Sequence, residues 1–238
     1  MEKGIFTRAK LLFGSEKMKL IGNARVIIFG IGGVGSWCAE SLVRSGIHNL
    51  TIVDSDTICI TNVNRQLHAT TLTIGEVKAE VLKKRLLEIN PKANILAIRE
   101  FYSAENRDLF ELEKYDYIID AIDSPNSKAD LIISATKCKA TFFSSMGAAR
   151  KIDPTKIQVA EFWKVKGDPL ASSMRRKIRK GEMPSKKFQC VYSEEVLENK
   201  EYDNLNGTTN GSVVHITAIF GFTLAGLVIQ DINKKDYL

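Results

Sequence analysis

Short runs rich in Val, Ile and Leu recur through the first 145 residues, each followed by a longer stretch with helical spacing. They place strands at 25–30, 50–54, 94–98 and 116–121, with a fifth near 141–145. The runs are apolar throughout rather than alternating, as in strands covered on both faces. Helices fall between them at about 35–45, 75–90, 103–113 and 126–139. Gly46 is placed to cap the first helix, and Asn90-Pro91 ends the second. This alternation predicts an α/β fold: a doubly wound, mostly parallel, Rossmann-like sheet with right-handed crossovers.

After Gly147 the pattern changes. "KIDPTKIQVAEFWKV" alternates like an extended strand with a turn at Asp153-Pro154. A basic segment follows at 164–187, polar enough to read as a mobile substrate-binding stretch. Residues 199–211 hold four asparagines and two glycines and read as a surface loop. "SVVHITAIFGFTLAGLVI", 212–229, falls just short of the ~20 residues that span a bilayer and contains His215. It reads as a packed C-terminal helix, so no integral membrane insertion is expected. The simplest organisation is one domain over 1–238, with a nucleotide-binding core at 5–165 and a C-terminal strand, loop and helix added to it.

Composition narrows the class. With 44% hydrophobic and 26% charged residues, the chain has the make-up of an ordinary soluble globular protein. The N-terminus lacks an apolar run of signal-peptide length. Cys38, Cys59, Cys138 and Cys190 lie far apart without a CxxC pair, so neither a zinc site nor a thioredoxin-type motif is expected, and reduced thiols in the cytoplasm are the default. The net charge is +6, yet residues 164–187 alone carry +7, leaving −1 for the rest. Such a concentration points to a polyanionic partner.

Gly30, Gly32 and Gly35 in "GIGGVGS" satisfy G-x-G-x-x-G between a strand and a helix, where glycine lets backbone amides approach a phosphate. Asp54 lies 19 residues after Gly35, near the ~20 expected of a ribose-binding carboxylate. So far NAD suits the pattern as well as ATP. The next stretch separates them, because a triphosphate needs side-chain cations and a metal ion beyond backbone amides. Arg65 and Lys78 follow the second strand, with Asn62 and Gln66 nearby. Lys78 opens a helix whose Val77, Val81, Leu82, Leu86 and Ile89 share a face. Asp123 follows the fourth strand, where a carboxylate could hold Mg²⁺ against phosphates or cap the next helix; Asp120 reads as structural.

"GIGGVGS", "DSD", "NVNRQ", "GEVKAE" and "DAID", in this order, resemble the ubiquitin-activating superfamily of adenylate-forming enzymes, which includes the ThiF and molybdopterin-synthase adenylyltransferases. "FTRAKLLFG", "NVNRQLHA", "IDPTKIQV" and "CVYSEE" make the chain most similar to its tRNA threonylcarbamoyladenosine dehydratases. The resemblance implies a homodimer that uses ATP and Mg²⁺ to activate a threonyl carboxylate on tRNA and close a ring. It implies ATP phosphates on Gly30, Gly32, Gly33, Gly35 and Ser36, and ribose on Asp54 with Asp56 beside it. Further ATP contacts fall on Asn62, Arg65, Gln66 and Lys78, with Mg²⁺ on Asp123 and Arg8 reaching into the partner subunit's site. Arg65, Lys78 and Asp123 then carry the catalysis. Cys190 is a further candidate, as an acyl-capturing thiol activated by Lys186 and Lys187 or docking with a sulfur-relay protein, against the alternative of a packed cysteine. The basic residues Arg175, Arg176, Lys177, Arg179, Lys180, Lys186 and Lys187 would contact tRNA phosphates. Two rivals stand beside this reading: adenylation of a ubiquitin-like sulfur-carrier protein, and an NAD(P)-dependent oxidoreductase or sensor.

Overall fold

The computed structural model describes residues 4–201 and 210–235. A seven-stranded sheet forms its centre, built from β1 (Arg25–Phe29), β2 (Asn49–Val53), β3 (Asn94–Ile98), β4 (Tyr117–Asp120), β5 (Thr141–Ser145), β6 (Ile157–Glu161) and β7 (Gln189–Ser193), in the order β3-β2-β1-β4-β5-β7-β6. Six strands run parallel, and β6 is antiparallel at the edge beside β7. Strand order reverses between β1 and β4. In a doubly wound sheet the ligand crevice opens there, beyond the carboxyl ends of the strands.

The helices are α1 (Thr7–Asn23), α2 (Gly35–Ser45), α3 (Lys78–Ile89), α4 (Pro125–Lys137), α5 (Pro169–Ile178) and α6 (Val214–Lys234). One core layer, on the α2, α3 and α6 side, includes Ile28, Leu42, Leu82, Phe220 and Leu224. The other, on the α4 and α5 side, includes Phe29, Ile118, Ile132, Phe162 and Met174. Gly46 does cap α2, at φ 107° with its amide shared between Leu42 and Val43 carbonyls. The apolar C-terminal stretch is a packed helix, as expected. α6 has a mean hydropathy of 1.5, the length and apolarity of a membrane span, but 56% of that stretch is buried within the protein. Its Phe222 meets Trp37 of α2 edge-on, ring centroids 5.7 Å apart.

Two expectations are corrected, one helix boundary is sharpened and one element is added. The helix over 103–113 is replaced by two short 3₁₀ turns, Arg107–Phe110 and Leu112–Lys114, because Glu111 between them takes a left-handed φ of 45°. The Asn106 side chain instead ties the preceding loop, accepting from the Ser103 amide at 2.8 Å and donating to the Phe101 carbonyl at 2.8 Å. Helix α3 begins at Lys78 rather than 75, since Gly75 at φ 89° closes a turn onto the Ile58 carbonyl. Helix α1 precedes the first strand, where hydropathy alone signalled no element. The basic stretch contains α5: Asp168 caps it, accepting from the Ala171 amide at 2.8 Å, and Ala171, Met174 and Ile178 bury its apolar face. Helical spacing beneath the charges orders a segment that composition read as mobile. Residues 202–209 of the expected surface loop lie outside the described residues.

Candidate active site

The loops after β1, β2, β4 and β5 enclose a cleft of about 680 Å³ at the point where strand order reverses. Its floor is the glycine turn. Gly30 has φ 80°, and a Cβ there would stand 2.7 Å from the Ala121 carbonyl oxygen, so only glycine lets the β1 and β4 loops meet. Gly32 and Gly33 line the cleft, and their amides find no acceptor among the described residues. Helix α2 starts immediately behind them without a side-chain cap. Free amides and an uncapped helix N-terminus make a cradle for an anion.

Asp54, at the end of β2, braces this turn. One carboxylate oxygen accepts from the Ile31 amide at 3.0 Å and the other from the Asp56 amide at 3.0 Å. Burial pushes its carboxyl above the usual range, opposed by Lys78 and the two amides. Asp54 lines the cleft, and each oxygen has accepting capacity beyond its one amide bond, as ribose hydroxyls would require. Lys78 is buried, lines the cleft, and pairs with Asp56 at 2.8 Å. Arg65 lines the same wall, its Nη1 donating to the Thr61 carbonyl at 2.7 Å and Asn64 at 3.1 Å. Gln66 is buried with its Oε1 unpartnered, an acceptor waiting in the cleft wall. Asp123 is exposed at the mouth, and the position before α4 is Ser124, so Asp123 does not cap that helix.

Gly30, Gly32, Gly33, Asp54, Asp56, Arg65, Gln66, Lys78 and Asp123 therefore converge on one cleft. Three other expected ligands do not line it. Gly35 is required for packing, since a Cβ would sit 1.9 Å from the Gly30 carbonyl oxygen. Ser36 is fully buried, donating to the Gly32 carbonyl at 2.7 Å and accepting from the Leu67 amide at 3.2 Å. Asn62 accepts from the Cys59 amide at 3.0 Å and so closes the 3₁₀ turn that aims Arg65. Arg8 is exposed on α1, outside its own chain's cleft.

Cys190 is corrected. It lies on β7 with no exposed surface, and burial pushes its thiol well up, the reverse of an activated nucleophile. Lys186 does not reach it: its ammonium donates to the Cys138 and Ala140 carbonyls. Arg175 is likewise committed inward, its Nη1 donating to the Phe162 carbonyl at 3.1 Å and the Val165 carbonyl at 2.8 Å. Arg176, Lys177, Arg179, Lys180 and Lys187 remain exposed, Arg179 lying 5.5 Å over the Trp163 ring. Residues of the far wall were not singled out from sequence: Ser145 to Lys151 after β5, and Asp168 with Leu170 at the start of α5. Their position beyond a strand's carboxyl end was the available signal.

A parallel sheet with an anion cradle at its switch point, two cations and a carboxylate around it, defines the class: the chain belongs to the ThiF family, which it matches over residues 6–237. It is 39% identical over 238 residues to the tRNA threonylcarbamoyladenosine dehydratase of Haemophilus influenzae, covering 94% of this chain and 91% of that protein. Identity to the protein of the same name in Bacillus subtilis is 37% over 241 residues, covering 96% and 94%. Among solved structures, E. coli TcdA in complex with ATP superposes with a TM-score of 0.87 at 34% identity, covering 95% of this chain and 93% of that one. The expected superfamily and the doubly wound fold are both borne out.

Proposed function

We propose that this protein is an ATP-dependent tRNA threonylcarbamoyladenosine dehydratase acting through an acyl-adenylate. The observation that carries the reading is the convergence of Gly32, Gly33, Arg65, Lys78 and Asp123 on one cleft. Near-full-length similarity to enzymes of that name supports it.

A carboxylate is a poor acyl donor because its leaving group would be oxide. In the first step a threonyl carboxylate oxygen attacks the α-phosphorus of ATP, a P–O bond forms and pyrophosphate leaves. The carboxylate is already ionised, so this step needs no base. In the second step a nucleophile of the same nucleoside attacks the acyl carbon, its proton is lost, and AMP departs with the original carboxylate oxygen. The nucleoside has lost one water. Arg65 and Lys78 offset charge developing on the phosphates. Lys78 is held by Asp56 until phosphate competes for it. Asp54 receives the ribose, and Gln66 Oε1 accepts a donor from the nucleotide.

Among the described residues no group of three or more His, Cys, Asp or Glu side chains forms a metal cage. A single carboxylate at the cleft mouth nevertheless suits Mg²⁺, which is ordinarily held by one or two carboxylates plus substrate phosphates. Asp123 would hold the ion, which would supply further charge neutralisation on the phosphates. A homodimer in which Arg8 completes the partner's site, and a cytoplasmic location beside tRNA, belong to the same proposal. So does an exposed basic face, Arg176 to Lys180 with Lys187, contacting tRNA phosphates.

Nucleosides from tRNA treated with protein and ATP should show threonylcarbamoyladenosine lighter by one water in mass spectrometry. Pyrophosphate exchange stimulated only by a sulfur-carrier protein would replace this reading with the adenylyltransferase one.

A further inference from the structure

The far wall of the cleft holds two adjacent cations, Arg150 and Lys151, on the loop after β5. Lys151 is almost fully buried and donates to the Glu195 carbonyl at 2.5 Å, with the Asp168 carboxylate close enough to act on it through space. Its charge is thus answered within the protein. Arg150 differs. Its backbone is held in the left-handed region at φ 61°, which side chains other than glycine adopt only at a cost. Three bonds hold it there: its amide donates to the Gly211 carbonyl at 2.8 Å, its carbonyl accepts from the Leu197 amide at 2.9 Å, and its Nε donates to the Leu197 carbonyl at 2.5 Å. The two terminal nitrogens, Nη1 and Nη2, have no acceptor among the described residues.

Of the other cations named in the cleft, Lys78 is paired with Asp56, and Arg65, held through Nη1 by Thr61 and Asn64, packs against Gly33 of the phosphate cradle rather than on the far wall. Chemistry supplies the missing partner. The proposed reaction brings a carboxylate against a phosphate, two anions that repel, and a cation away from the phosphate cradle is needed to receive the first. A guanidinium with its fork unpaired matches a carboxylate in two parallel hydrogen bonds.

We propose that Arg150 receives the substrate's carboxylate at the far wall and holds it toward the nucleotide. This rests on the dehydratase reading above and gives that reading its acyl-binding residue. It also gives a reason for an arginine to stand where glycine would fit the backbone without strain.

The test uses Arg150→Gly, which relieves the left-handed conformation while removing the guanidinium. Equilibrium binding is measured for ATP, for tRNA carrying threonylcarbamoyladenosine, and for the same tRNA unmodified. The wild type should prefer the modified tRNA. Arg150→Gly should lose about 10- to 100-fold of affinity for it alone, the worth of a charge-assisted bidentate pair. Affinity for unmodified tRNA and for ATP should hold within about 3-fold. Arg150→Lys, with charge but no fork, should fall between. An unchanged preference for modified tRNA in Arg150→Gly overturns the assignment, and an equal loss of ATP affinity reassigns Arg150 to the nucleotide. A wild type that binds modified and unmodified tRNA alike and removes no water defeats the dehydratase reading itself.

Discussion

Lys128 Nζ lies 2.7 Å from Asp120 Oδ2, and neither side chain reaches solvent. The pair sits under the loop that carries Asp123. Lys128 also donates to the Ile122 carbonyl at 2.9 Å, and Asp120 accepts from the Ile122 amide at 3.0 Å and from Ser144 Oγ at 2.6 Å. Removing one partner strands a buried charge, whereas removing both does not. Lys128→Met should therefore cost about 3–5 kcal/mol in denaturant unfolding. The double change Lys128→Met, Asp120→Leu should recover part of that loss; no recovery would mean the pair is not what holds this loop.

Lys78 leads to a prediction about nucleotide affinity. It is buried with its ammonium on Asp56, so ATP must draw it partly from that carboxylate. Lys78→Met should weaken ATP binding by about 10- to 100-fold, the range for a charge-assisted contact. Titration calorimetry with ATP reads this directly, and an unaltered dissociation constant would take Lys78 out of the phosphate site.

The basic residues divide into two groups with different consequences. Replacing the exposed Arg176, Lys180 and Lys187 by Gln should lower the slope of log binding constant for tRNA against log salt by about 2 to 3. Arg175→Ala should leave that slope nearly unchanged and cost about 1–3 kcal/mol of stability, because its hydrogen bonds to Phe162 and Val165 are internal. Filter binding at several salt concentrations separates the groups. A slope that ignores the first three would move the tRNA surface elsewhere.

His68 sets a pH dependence. It is buried with both ring nitrogens unpartnered, and burial, aided by the charge of Lys78, pushes it down to about 4. Between that value and the unfolded value near 6.5, the unfolded chain holds a proton that the folded one does not, so stability falls as pH falls through this window. The expected loss from His68 between pH 7 and pH 5 is about 2 kcal/mol. The urea midpoint of wild type should fall more steeply than that of His68→Phe as pH is lowered; parallel curves would show that His68 titrates normally.

Much of the site was legible before any coordinates. The glycine turn, Asp54 and Asp123 each follow a strand end, and strand ends can be read from apolar runs; Arg65 and Lys78 stand out as cations in the connection from β2 into α3. What the sequence misplaced were residues of the right type at the right spacing whose atoms are already engaged. Ser36 and Asn62 serve their own loops, and Lys186 caps carbonyls in the connection between α4 and β5. Cys190 looked chemical beside lysines but lies inside β7.

By itself the sequence determined the alternation of strand and helix, the mostly parallel class of the sheet and the phosphate-binding turn. Those are local matters of apolar period and of glycine's backbone freedom, carried in adjacent residues. Only tertiary structure decided which donors are free. That depends on carbonyls brought close from distant chain: Leu197 beside Arg150, Phe162 beside Arg175, Glu195 beside Lys151. A polar side chain is available to a ligand only when no such neighbour has already taken its hydrogen bonds.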